Sequence, residues 1–308
     1  MKHFINLKDI KINDLKKILK DAKKRKHNRK NLGTLDADKG APLKGKILIQ
    51  MFEKPSLRTR LSFYLAIRQL GGGTITLRSN ELHLGKGGES LADTAKILST
   101  YGDGFMLRTD SDKKISEFLK YIKIPLINGL SPSSHPTQVL SDIFTVEEIK
   151  KKPISKLNIC WVGDSNNVLN SLIAASVKFS FKLNIACPKN YKPKKFISDW
   201  VKKNKKKIYI FQDPKKAVKN VDVIFSDKVI SLNDKVNVKK KIKDFKNFHI
   251  NEKLLKLAPK SIFLHCLPRG NEVSEKVFLG KKSHVWQQAL NRVHVQKSIL
   301  MYCFDKLR

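Results

Sequence analysis

The chain has 308 residues, 41% hydrophobic and 29% charged, which supplies apolar material for one large core or two ordinary ones and excludes collagen-like, disulfide-scaffold and wholly disordered readings. No apolar run approaches the roughly 18 residues of a membrane span. Charges in the opening MKHFINLKDI interrupt the apolar stretch of about 7–15 residues that a secretory leader needs, so a cytoplasmic location is expected, with no membrane partner. The formal net charge of +36 is carried by lysine, since only 10 of the 63 basic residues are arginine. The lysine runs 202–207 and 239–243 lack interleaved aromatics for base stacking. They read as solvated helix faces and loops, and no specific nucleic-acid partner is expected.

In chain order, a helix is expected near 8–24. A strand over 46–52 then leads into a helix over 57–70, stopped by Gly71-Gly72-Gly73. A strand at 74–77, a helix at 91–101, strands at 104–108 and 124–127 and a helix at 136–150 complete the first half. Lys150-Lys151-Lys152-Pro153 ends that helix and sets a domain boundary at about residue 150. The second half continues with a strand at 157–162, a helix at 167–179, strands at 183–186, 208–211, 221–225 and 261–266, and a last helix at 288–304. Such alternation predicts an α/β fold with two similar-sized domains, 1–150 and 151–308, each a mostly parallel sheet flanked by helices. Cys160, Cys187, Cys266 and Cys303 show no CxxC pair and no metal-ligand spacing. Reduced thiols are expected, with no metal and no organic cofactor.

Ligands of such sheets collect where strands end. After the first strand comes Glu53-Lys54-Pro55-Ser56-Leu57-Arg58-Thr59-Arg60. A helix N-terminus flanked by hydroxyls and arginines suits an oxyanion, although an ordinary capped helix has the same pattern. Arg108 ends a strand. His135 and Gln138 are three apart around Pro136, which fits a first helical position; the histidine is a carbonyl donor or a capping residue. In the second half, Gly163-Asp164-Ser165-Asn166-Asn167 is not a dinucleotide fingerprint, but its amides can take a carboxylate or cap the helix. Asp227 and Ser231 stand four apart in a loop, where a buried carboxylate would suit an ammonium group. Cys266 ends a strand beside Leu267 and Pro268, where core packing is the default reading.

Together SLRTR at 56–60, HPTQ at 135–138, GDSNNVLNS at 163–171, the Asp227…Ser231 loop, HCLP at 265–268 and NRVH at 291–294 resemble the ornithine carbamoyltransferases, in order and over essentially the whole chain. The resemblance implies a first domain binding carbamoyl phosphate, a second binding L-ornithine, and a last helix, about 288–308, packing back on the first. It implies carbamoyl phosphate held by Ser56, Leu57, Arg58, Thr59, His83, Arg108, His135, Gln138, Cys266, Leu267 and Arg292. Ornithine would be held by Asn167, Asp227, Ser231 and Leu232. Arg58, Thr59, His135, Cys266 and Asp227 would carry the catalysis, yielding citrulline for arginine biosynthesis in a cytoplasmic homotrimer whose active sites lie near subunit interfaces.

The sequence departs from the family's pattern at Ser231-Leu232-Asn233, where Ser-Met-Gly is usual, and at Leu290, where glutamate is usual. His83 stands where glutamine is frequent. The loop changes leave a carbamoyltransferase for another amine, an N-acylornithine or putrescine, as the alternative.

Overall fold

The computed structural model describes residues 1–78, 88–193, 197, 199–200, 202, 207–230 and 237–307. The chain divides into two units, Met1–Ser141 with Ala289–Arg308, and Asp142–Gln288.

Unit 1 holds four parallel strands, β1 (Ile47–Phe52), β2 (Gly73–Arg78), β3 (Gly104–Arg108) and β4 (Leu126–Leu130), in the order β2-β1-β3-β4. Leu48 pairs with Gly104 and Phe52 with Arg108, so β1 and β3 end level. Helices α1 (Ile12–His27), α2 (Leu57–Gln69), α3 (Leu91–Tyr101) and α4 (Asp112–Tyr121) cover the faces. Ile49, Met51, Phe105, Leu107, Phe118 and Leu126 form one apolar cluster. Strands β1, β3 and β4 are buried along almost their whole length, as expected of a parallel sheet covered on both faces, whereas the edge strand β2 is only half-buried or exposed. Helix α4 was not among the expected elements; Ser111 caps it, and Ile115 and Phe118 give it a buried stripe.

Unit 2 holds five parallel strands, β5 (Asn158–Val162), β6 (Lys182–Ala186), β7 (Ile208–Phe211), β8 (Val223–Ser226) and β9 (Ile262–His265), in the order β7-β6-β5-β8-β9. Helix α5 (Pro136–Lys150) leads into this unit, and α6 (Asn167–Phe179) packs on the sheet with Val168, Leu169 and Leu172 buried. Shorter helices α7 (Pro214–Val218), α8 (Val238–Phe245), α9 (Glu252–Lys256) and α10 (Glu275–Leu279) follow, and α11 (Val285–Cys303) runs from unit 2 into unit 1.

The chain's own contacts divide at 141/142, inside α5 and a little before the boundary expected at about residue 150. The later turns of that helix bond to unit 2: Gln288 Nε2 donates to Asp142 Oδ1 at 2.7 Å and the Ile154 N–H to Glu147 Oε1 at 2.9 Å. Strand β4 begins and ends later than the expected 124–127. Asn128-Gly129 reads as turn chemistry, yet the Asn128 amide is buried and donates to Ser134 Oγ at 3.0 Å and to the Ile5 carbonyl at 3.1 Å.

Each strand order reverses once. In unit 1 the chain leaves β1 for β2 on one side and returns to β3 on the other; in unit 2 it leaves β5 for β6 and returns to β8. The carboxyl ends of β1 and β3, and of β5 and β8, are therefore the crevices where ligands of open parallel sheets bind. Among the described residues, no helix is long and apolar enough to cross a membrane.

Candidate active site

At the first crevice, Ser56 takes an extended conformation (φ −156°) and α2 starts at Leu57, so the unbonded N–H groups of its first turn open onto the strand ends. Leu57 is exposed, Arg58 is half-buried and Thr59 is buried. Arg108 closes β3. Helix α5 begins at Pro136 with His135 and Gln138 buried. Arg292 comes from α11, 2% exposed. Its Nη1 donates to Gln138 Oε1 and its Nη2 to Thr59 Oγ1, both at 2.9 Å, so one guanidinium fork fixes α2 against α5. Thr59 Oγ1 accepts from Arg292, which leaves its own hydroxyl hydrogen to donate.

Burial holds the His135 imidazole well below its usual range, and the charges of Arg292, Arg108 and Arg58 push it further. These causes favour the neutral ring, which carries one N–H to donate. Arg58, Thr59, Arg108, His135, Gln138 and Arg292 are thus brought to one place. His83 lies outside the described residues.

The sequence reading passed over Glu53, which holds the two strand ends together. Its Oε2 accepts from Thr109 Oγ1 at 2.5 Å and its Oε1 meets Lys114 Nζ at 2.5 Å. A glutamate directly after a buried strand, with a threonine directly after the neighbouring one, was the available signal.

At the second crevice, Gly163 turns the chain after β5 with φ +149°, where a side chain would be strained. Asn166 caps α6, its Oδ1 accepting from the N–H groups of Val168 and Leu169 at 3.0 and 3.1 Å. The Asn166 Nδ2 donates to Asp227 Oδ2 at 2.7 Å, while the Lys228 N–H donates to Asp227 Oδ1 at 2.8 Å. Asn166 therefore orients Asp227, and Asn167, the expected residue, is the first residue of the helix. Burial pushes the Asp227 carboxyl up, against the opposing pull of these two hydrogen bonds.

Beside it, β9 ends at His265. The Leu267 N–H donates to His265 Nδ1 at 2.9 Å, so the ring proton sits on Nε2 and faces Glu272 Oε1 at 3.0 Å. This lock shapes the HCLP turn, in which Cys266 is half-buried and the Cys266 N–H donates to the Ser226 carbonyl. Ser231 and Leu232 lie outside the described residues. The other three thiols are buried, and burial pushes Cys187 up to about 11.

One lysine of the 239–243 run breaks the expectation of a solvated face. Lys239, Lys240 and Lys243 are exposed, but Lys241 is 3% exposed with its Nζ 2.6 Å from Asp164 Oδ2.

Comparison with known proteins assigns both halves. Residues 2–148 match the model of the aspartate/ornithine carbamoyltransferase carbamoyl-P binding domain, and residues 155–303 that of the Asp/Orn binding domain. An ornithine carbamoyltransferase of Brucella suis is 42% identical over 99% of this chain and 96% of its own length. The solved ornithine carbamoyltransferase of Pyrococcus furiosus superposes with a TM-score of 0.89 at 37% identity, covering 97% of this chain and 96% of that one. An anabolic ornithine carbamoyltransferase from Campylobacter jejuni gives 0.89 at 36% identity, with full coverage of both chains.

Proposed function

The chain belongs to the aspartate/ornithine carbamoyltransferase family, and from that premise we propose that it moves the carbamoyl group of carbamoyl phosphate to the δ-amine of L-ornithine, releasing L-citrulline and phosphate, in arginine biosynthesis. The observation that carries ornithine over aspartate as acceptor is the Asn166–Asp227 pair. A carboxylate oriented by a neighbouring amide receives an ammonium or amine. A dicarboxylate acceptor would need cations there instead.

In this reading the phosphate lies on the N–H groups of the turn at Ser56, Leu57, Arg58 and Thr59, with Arg58 and Arg108 supplying charge. The neutral δ-amine attacks the carbamoyl carbon and the C–N bond forms. The carbonyl oxygen gains negative charge, which Thr59, Arg58 and neutral His135 meet as donors. Losing one such donor costs about 2.7–4 kcal/mol of transition-state stabilisation. The bond to the phosphate oxygen then breaks, the arginines neutralise the leaving group, and the proton shed by nitrogen passes to the departing phosphate.

Gln138 and Arg292 hold the carbamoyl phosphate from the α5 side, with His83 and the backbone of Cys266 and Leu267 completing its contacts. Asn167, Asp227 and Ser231, with Leu232, receive the α-carboxylate and α-amine of ornithine, and Cys266 with Asp227 flanks the reacting amine. The first unit accordingly serves carbamoyl phosphate and the second ornithine. The working form in this reading is a cytoplasmic homotrimer; the exposed apolar stripe Leu57, Leu61 and Tyr64 on α2 supports self-association of some kind.

The test is citrulline formation from carbamoyl phosphate and L-ornithine, run beside N-acetylornithine and putrescine. Selective turnover of ornithine is expected. Preference for either other amine refutes the assignment of the acceptor, and no turnover with any of the three refutes the activity.

A further inference from the structure

We infer that Lys241 is a positioning residue for the amino-acid acceptor, acting through Asp164 on the turn that orients Asp227; the inference rests on the functional reading above. Three features of Lys241 argue that its placement is specific. It is buried in a helix whose other lysines are solvated. It lies in the first turn or so of α8, where the helix dipole disfavours a cation. Its ammonium stands over an aromatic wall, the Nζ 5.9 Å from the Tyr191 ring centroid, while Tyr191 packs edge-on against Phe245 at 4.8 Å.

A buried cation at the unfavourable end of a helix adds little net stability even when paired. What the pair does fix is geometry. Asp164 accepts the Lys241 ammonium through its carboxylate at 2.6 Å and, through its carbonyl, the Trp161 indole N–H at 3.1 Å and the Asn166 N–H at 3.0 Å. Asn166 in turn donates to Asp227 at 2.7 Å. The links therefore run from Lys241 to Asp164, through the turn to Asn166, and on to the carboxylate that receives the acceptor amine. Tyr191 braces the same helix face, its hydroxyl donating to Asp244 at 3.0 Å. The link stays on the amino-acid side, so the pair governs ornithine and not carbamoyl phosphate.

The experiment compares the wild type with Lys241→Met, Lys241→Arg and Asp164→Asn, measuring KM for each substrate and the melting temperature. Methionine keeps an unbranched side chain of similar length and removes the charge. Lys241→Met and Asp164→Asn should raise the ornithine KM roughly 10- to 100-fold, the range felt when a charge-assisted hydrogen bond is lost. The carbamoyl phosphate KM should stay within about twofold, and Lys241→Arg should restore the ornithine KM. A folded Lys241→Met protein with an unchanged ornithine KM overturns the positioning role, as does an equal rise for both substrates or failure of the arginine variant to rescue. If Lys241→Met does not fold, Asp164→Asn decides on the same criteria. A wild type that makes no citrulline overturns the functional reading, and this inference with it.

Discussion

Replacing Arg292 with lysine isolates what the guanidinium fork contributes, because the charge survives and the geometry does not. Arg292 spans Gln138 Oε1 and Thr59 Oγ1 with two nitrogens, each 2.9 Å from its acceptor. A lysine ammonium is a single point on a shorter reach and can satisfy one of the two. The lost bond is charge-assisted and buried, worth about 1.5–3 kcal/mol. Converted at 1.4 kcal/mol per factor of ten, kcat/KM for carbamoyl phosphate should fall about 10- to 150-fold. The retained positive charge still disfavours the imidazolium of His135, so the pH dependence should keep its shape. Citrulline production at saturating ornithine and varied carbamoyl phosphate measures the effect, with circular dichroism confirming the fold. A variant within twofold of wild type, or one whose loss falls on ornithine alone, would refute the role given to the fork.

Two further predictions concern buried charge. Asp38, 8% exposed, accepts from Lys297 at 3.0 and 3.1 Å, from Arg29 at 2.9 Å and from Arg25 at 3.2 Å. Asp38→Asn leaves these cations without their counter-charge and should cost about 3–5 kcal/mol in urea unfolding; an unshifted midpoint would show that the cluster is solvated. Burial lowers both His135 and His294 in the folded state, His294 to about 3 with help from Lys297 and Lys26. The unfolded chain takes up protons near pH 6.5 that the folded one refuses, so stability is full above that value and falls as the pH drops from there toward 3. The slope should approach about 1.4 kcal/mol per pH unit for each histidine, and His294→Gln should remove its share. A flat profile between pH 7 and 5 would contradict the burial argument.

Much of this architecture is legible in the residue pattern, and the exceptions have physical causes. The helices at 91–101, 136–150 and 167–179 stand where their apolar spacing and flanking Ser90, Pro136 and Asn166 put them. Helix α4 carried the same kind of signal in Ser111, Ile115 and Phe118, but it is short and sits between two strong strands. The grouping of Arg58, Thr59, His135, Gln138 and Arg292 is read from motifs, whereas the hydrogen bonds that join them depend on tertiary distance. Two adjacent asparagines look alike in sequence, and cap geometry alone decides that Asn166 faces Asp227. Lys241 could not be told from its neighbours by composition, since only the packing of Tyr191 and Asp164 makes it a buried residue.

The split composition of the first unit has a consequence for how the protein is made. Residues 1–141 leave the ribosome first, but Ala289–Arg308 of the same unit come last, after all of residues 142–288. At about 5–20 residues per second, that interval is on the order of ten seconds. Throughout it Asp38 faces Arg25 and Arg29 without Lys297, Thr59 and Gln138 have no Arg292, and the surface at Gly104 waits for the ring of Phe304, which packs against it. The second unit is continuous and meets no such delay. Vectorial synthesis therefore delivers the whole of the second unit before the first has all its parts, since the first needs Ala289–Arg308 as well as Met1–Ser141.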